Sequence, residues 1–95
     1  MIRDYLRKEF PQYDVVTRKN KTPTADPETV FRLDDEKGNV QHTVIARSEF
    51  LRHLTVDQIK GYLRGWNLPS VLRIVGSKPV FMTRDSLGKS VLLFK

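Results

Sequence analysis

Along the first ten residues, Ile2, Tyr5, Leu6 and Phe10 fall within one arc of a helical wheel, while Arg3, Asp4, Arg7 and Lys8 fill the remainder. That spacing predicts a short amphipathic helix. Pro11 limits its extent, because a proline disfavours helical geometry in the residue before it. Tyr13 to Thr17, led by Tyr13, Val15 and Val16, reads as extended chain. The stretch from Arg18 to Pro27 has two prolines, several small polar residues and no apolar period, so it is expected to be a mobile loop. Thr29–Leu33 and Val40–Ala46 are rich in β-branched and apolar types and flank Asp34-Asp35-Glu36-Lys37-Gly38-Asn39. With Gly38-Asn39 supplying positive φ, these two runs predict a β-hairpin.

Beyond the hairpin, Ser48 is placed to cap a short turn through Phe50, Leu51 and Leu54. Thr55-Val56-Asp57-Gln58 matches a capping box, so a main helix is expected to start at Thr55. Within it Val56, Ile59, Tyr62, Leu63 and Trp66 share an arc of about 120° and should face the core. Leu68-Pro69 is expected to end this helix. Val71–Val75, Val80–Arg84 and Ser90–Phe94, separated by Gly76-Ser77-Lys78-Pro79 and Asp85-Ser86-Leu87-Gly88-Lys89, then predict a three-stranded meander. The expected fold is a single α+β domain over residues 1–95. Its order is α-β-β-β-α-β-β-β, an antiparallel sheet of up to six strands with two main helices packed on it.

Ninety-five residues suffice for one hydrophobic core but not for two. The absence of cysteine removes disulfides, thiolate metal sites and thiol nucleophiles from consideration, leaving packing as the source of stability. No apolar run approaches the roughly 20 residues that a membrane-spanning helix needs. The charged N-terminus lacks the apolar stretch of a secretory signal, so a cytoplasmic location is expected.

Charge sharpens this picture. Residues 1–25 hold six basic and three acidic side chains, residues 26–49 three and six, and residues 50–95 eight and two. The net +6 therefore resides in the C-terminal half, with an acidic segment between two basic flanks. Such asymmetry points to a polyanionic partner, DNA or RNA. Lys60 and Arg64 lie one turn apart on the main helix, Lys78 and Lys89 fall in turns, and Arg73 and Arg84 fall on predicted strands. Lys60, Arg64, Lys78, Arg84 and Lys89 are the candidate backbone contacts of a small non-enzymatic nucleic-acid-binding protein, such as a DNA-binding regulator. Arg18, Lys19 and Lys21, in the predicted loop, are candidates for a flexible basic arm. The alternative is a protein-interaction module in which the acidic Asp34–Glu36 turn and the basic remainder dock on partners of opposite charge. An ordinary solvated surface would have the same composition.

Two further features suggest a homodimer. Gly61 and Gly65 lie opposite the apolar arc of the main helix, where each costs about 0.5–1 kcal/mol relative to alanine, so close approach by another backbone is one reason to keep them. Val91-Leu92-Leu93-Phe94 is apolar at consecutive positions, which predicts a strand covered on both faces.

Catalytic and cofactor readings fit less well. Gly88-Lys89-Ser90 resembles the end of a phosphate-binding loop, but Thr83 stands where the first glycine belongs and a strand is expected to follow. His42 and His53 are the only histidines and do not form a helical metal pair; Asp34, Asp35 and Glu36 around His42 read as solubilising turn acids. Asp26 with Asp35-Glu36-Lys37 lacks a lysine on a rigid strand for a metal-dependent nuclease. Ser48, His53 and Asp57 share only the residue types of a nucleophilic triad. No catalytic residue, metal or cofactor is assigned. The order α-β-β-β-α over residues 2–67 is similar to that of the double-stranded-RNA-binding domain. That family's final helix opens with a lysine cluster, whereas Asp57 and Gln58 stand near its start here, so the similarity is one of topology.

Overall fold

The opening pattern folds as α1 (Ile2–Glu9), and the chain continues through β1 (Asp14–Thr22), β2 (Ala25–Asp34) and β3 (Val40–Arg47). Three helices follow, α2 (Ser48–Leu51), α3 (Val56–Gly65) and α4 (Leu68–Val75), before β4 (Pro79–Arg84) and β5 (Ser90–Phe94) close the chain. This computed structural model describes residues 2–22, 25–52 and 54–94. The α+β class holds: a five-stranded sheet in the order β1-β2-β3-β4-β5 carries the helices on one face. All neighbouring strands are antiparallel except β3 and β4, which pair in parallel from Thr43↔Pro79 to Ala46↔Met82. Parallel neighbours need a long crossover, and α2, α3 and α4 provide it.

Two expectations change around the last helix. Val71–Val75 is not a strand: it belongs to α4, so the expected meander is reduced to the β4–β5 hairpin. Pro69 opens this helix rather than ending the previous one, because a proline in the first turn has no intrahelical N–H partner to lose. Burial follows the helical period, with Leu68 and Leu72 fully buried and Ile74 82% exposed. Asn67 makes the corner between α3 and α4 in the left-handed region at φ 52°, which asparagine tolerates better than most residues.

The predicted loop from Arg18 to Pro27 is instead largely strand, Arg18–Thr22 belonging to β1 and Ala25–Pro27 to β2, paired through Arg18↔Val30, Lys19↔Thr29 and Asn20↔Glu28. Its prolines and polar residues mislead because β1 is an edge strand, where charge is common, and because the register is irregular between Asn20 and Thr22, beside Pro27. Pro23 and Thr24 of that expected loop, together with His53, lie outside the described residues.

The expected hairpin of β2 and β3 is present, and its turn recurs in the chain. The Asp35 carboxylate accepts from the backbone N–H groups of Lys37 and Asn39 at 2.9 Å, with Gly38 at φ 81°. Asp85 accepts in the same way from Leu87 and Lys89 at 2.9 Å, with Gly88 at φ 77°. Both turns thus use an Asp-x-x-Gly-x frame in which the side chain satisfies two N–H groups and glycine permits the positive φ.

Alternation along the strands sets the core. Val15, Phe31, Leu33, Val44, Ala46, Val80 and Met82 point to the helical side, where they meet Ile2, Leu6, Phe50, Ile59, Leu63, Leu68 and Leu72. Thr55 caps α3 as expected: its hydroxyl accepts from Gln58 N–H at 3.2 Å, and the Gln58 side chain accepts from Thr55 N–H at 2.9 Å. Of the expected apolar arc, Ile59 and Leu63 are buried and Tyr62 and Trp66 pack on Phe50, while Val56 remains 52% exposed at the helix start. Ser48 is the first residue of α2 rather than its cap, and its hydroxyl accepts from Arg52 at 3.4 Å.

Candidate nucleic-acid interface

Strand direction separates the expected basic residues. β1, β3 and β4 run one way and β2 and β5 the other, so the end of β1, the start of β2 and the β4–β5 turn share one end of the sheet. Lys89 and Arg84 lie at that end, and the Arg84 Nε donates to the Gly88 carbonyl at 3.0 Å. Lys78, in the α4–β4 turn, lies at the opposite end with the acidic β2–β3 turn. Arg18 and Lys19 are ordered parts of β1 rather than a flexible arm, and being adjacent they point to opposite faces of the sheet. Lys19 lines a groove on the helical side with Ser48, Leu51 and Arg52. The backbone of Lys21 belongs to β1.

Lys60 and Arg64 stand exposed on α3, and Arg64 lies near enough to Tyr5 of α1 to act on its hydroxyl. Burial raises the Tyr5 hydroxyl pKa and the Glu9 carboxylate raises it further, while the Arg64 guanidinium opposes both. Lys60 and Arg64 make no ion pair among the described residues. Gly61 and Gly65 run along the same helix with nothing within 4 Å of where a side chain would begin, so no close approach inside the chain requires them. Arg73 belongs to α4, and its guanidinium lies 5.4 Å from the centre of the Phe10 ring.

Charge divides by face. The helical layer and its connections carry Arg3, Arg7, Lys8, Arg52, Lys60, Arg64, Arg73 and Lys78 against Asp4, Glu9, Glu49 and Asp57. Among the described side chains, the uncovered face of the sheet carries Arg18, Arg32 and Arg47 against Asp14, Glu28 and Asp34. One face is therefore basic and the other balanced. The Arg32 guanidinium is further engaged by the Asp34 carboxylate, with contacts of 3.0 Å and 3.2 Å from Nε. Sequence reasoning missed Arg3, Arg7 and Arg52 as members of the basic layer. The first two share the polar side of α1 at i,i+4 spacing, a signal that was present but unremarkable before the helix was placed beside α3.

Groups weighed for chemistry have structural partners. His42 is buried, its Nδ1 donates to the Gly76 carbonyl at 3.0 Å, and its ring lies 5.3 Å from Phe10 and 5.7 Å from Tyr13. Asp35 is committed to its turn, where the Asn39 N–H above all holds its carboxyl below the ordinary range. The Thr83 hydroxyl donates to Glu49, linking β4 to α2. Among the described residues, no group of three or more histidine and acidic side chains is arranged to hold a metal ion, and no helix is long and apolar enough to cross a membrane. Comparison with known protein families, curated proteins and solved structures finds no match.

Proposed function

We propose that the protein binds nucleic acid through backbone contacts made by its helical layer, with Lys60 and Arg64 of α3 at the centre. The observation that carries this reading is the division of charge among the described side chains: twice as many basic as acidic on the helical side, against a balanced uncovered sheet face. A surplus concentrated on one face attracts a phosphate chain to that face, and each phosphate neutralised releases condensed counterions. Lys60 and Arg64 lie one turn apart without carboxylate partners among the described residues. That arrangement costs a few tenths of a kcal/mol in the free helix, which a bound phosphate offsets. Arg73 and Lys78 extend the basic layer. Arg84, Lys89 and Arg18 lie away from it and contribute mainly to steering.

The test is fluorescence anisotropy of labelled duplex DNA and single-stranded RNA against salt. For duplex DNA, log affinity should fall with log salt by about 0.9 per phosphate contact, so the Lys60→Ala, Arg64→Ala double variant should flatten the slope by about 1.8. The Arg84→Ala, Lys89→Ala variant should leave the slope nearly unchanged. No binding at low salt, or an unaltered slope in the first variant, would count against the reading. The second reading, a protein-interaction module, is favoured by a different observation: the uncovered sheet face is apolar at its centre.

A further inference from the structure

On the uncovered sheet face, the register aligns Val30, Ile45, Phe81 and Leu93 in one row across four strands, with Arg18 at its end on β1. Leu93 is 54% exposed and Val16, beside the row on β1, is 40% exposed. Arg47 lies over the Phe81 ring at 5.4 Å, holding an aromatic and a guanidinium together near the middle of the face. An apolar centre with aromatic and arginine anchors and a charged rim has the composition of a protein interface rather than of a solvated sheet.

We propose that this face binds a second copy of the chain, face to face, about a two-fold axis that crosses the strands along the Val30–Ile45–Phe81 row. Charge selects the partner. Glu28 and Arg32 flank Val30 on β2, two residues to either side and on the same face. Rotation about that axis lays Glu28 of one copy over Arg32 of the other, and the pairing occurs twice, as an isologous interface requires. Arg18 is exposed on the edge strand, at the rim of the face. The balanced charge of the face also removes the repulsion that the basic helical layers would impose on each other.

Five strands at about 4.8 Å spacing and three pleat rows of about 6.7 Å give a footprint of roughly 480 Å² per copy, or about 960 Å² in all, the size of a weakly associating interface. The chain also exposes 6272 Å², against about 5,700 Å² expected for a folded monomer of its mass. The dimer leaves both helical layers outward, so it is independent of nucleic-acid binding there. It would cover one face of β5, as the consecutive apolar residues Val91–Phe94 suggest.

Sedimentation velocity over a concentration series tests the proposal. The unaltered chain should associate to a dimer, and Glu28→Arg or Arg32→Glu alone should each dissociate it, since each places two like-charged pairs in contact. An equimolar mixture of the two variants should recover the dimer, because both cross-pairs become opposite again. Circular dichroism checks that each variant is folded. If Arg32→Glu fails that check through loss of its Asp34 partner, Leu93→Lys at an exposed edge position serves instead and should weaken the dimer. A monomer at every concentration would overturn the proposal. So would a dimer indifferent to both charge reversals, which would place the contact at the β5 edge or the Gly61–Gly65 strip.

Discussion

Leu72→Ala and Ile74→Ala form the most direct pair of perturbations. If residues 71–75 were a strand, positions 72 and 74 would point to the same face and their truncations would cost similar amounts. In α4 they are 200° apart on the helix wheel, and Leu72 is 0% exposed while Ile74 is 82% exposed. Removing Leu72 deletes three buried carbon groups at about 0.8 kcal/mol each, and the cavity left behind raises the loss to about 2–5 kcal/mol. Ile74→Ala removes exposed surface and improves helix propensity, so its effect should stay within about 0.5 kcal/mol. A domain of this length has a total stability of about 5–14 kcal/mol, so the first variant should remain folded but be visibly weakened. Urea unfolding followed by the fluorescence of Trp66, the single tryptophan, reports both. With an m-value of about 1–3 kcal/mol/M, the Leu72→Ala midpoint should fall by on the order of 2 M, while that of Ile74→Ala barely moves. Equal losses at the two positions would refute the helical assignment.

Other consequences follow from local geometry. Thr55→Ala removes half of the α3 capping box and should cost about 1 kcal/mol by chemical denaturation, whereas Thr55→Ser should retain most of the stability. Gly61→Ala, in open space on a helix, should raise stability by about 0.5–1 kcal/mol, while Gly38→Ala, at φ 81°, should lower it by about 1–2 kcal/mol; thermal melts of the pair distinguish the two roles. Because the Asp35 carboxyl is held below its ordinary range, its contribution to stability is complete above the unfolded value of about 3.9 and is lost as pH falls through the lower folded value. Asp35→Asn should therefore show a flatter acid limb in melting temperature than the unaltered chain. An identical acid limb would mean that the turn bonds to Asp35 are not maintained in solution.

Elements specified by neighbours in sequence were legible without coordinates. The arc of Ile2, Leu6 and Phe10, the Thr55–Gln58 box, and the Gly38-Asn39 turn between two β-branched runs each announce themselves within a few residues. Their decisive interactions are local: a helix turn, a cap, and an Asp carboxylate over a tight turn. The basic residues were legible as candidates in the same limited sense, since composition gives charge but no position.

Where a segment's identity depends on what lies across from it, sequence was insufficient. Val71–Val75 is short, apolar and β-branched, which suits strand or helix equally. It becomes a helix because β4 pairs in parallel with β3 and the chain must cross over the sheet to reach it. Arg18 to Pro27 has no apolar rhythm because β1 has only one strand neighbour, and its pairing with β2 was not visible in its own residues. Above all, tertiary structure decided which charges share a face. Lys60, Arg64 and Arg73 come together with Arg3 and Arg7 because amphipathic helices bury their apolar arcs against the same side of the sheet, while Arg18, Arg32 and Arg47 are left among acids on the other. Side-chain chemistry is written in the sequence, but its summation into a surface requires the packing that orients every element about one core.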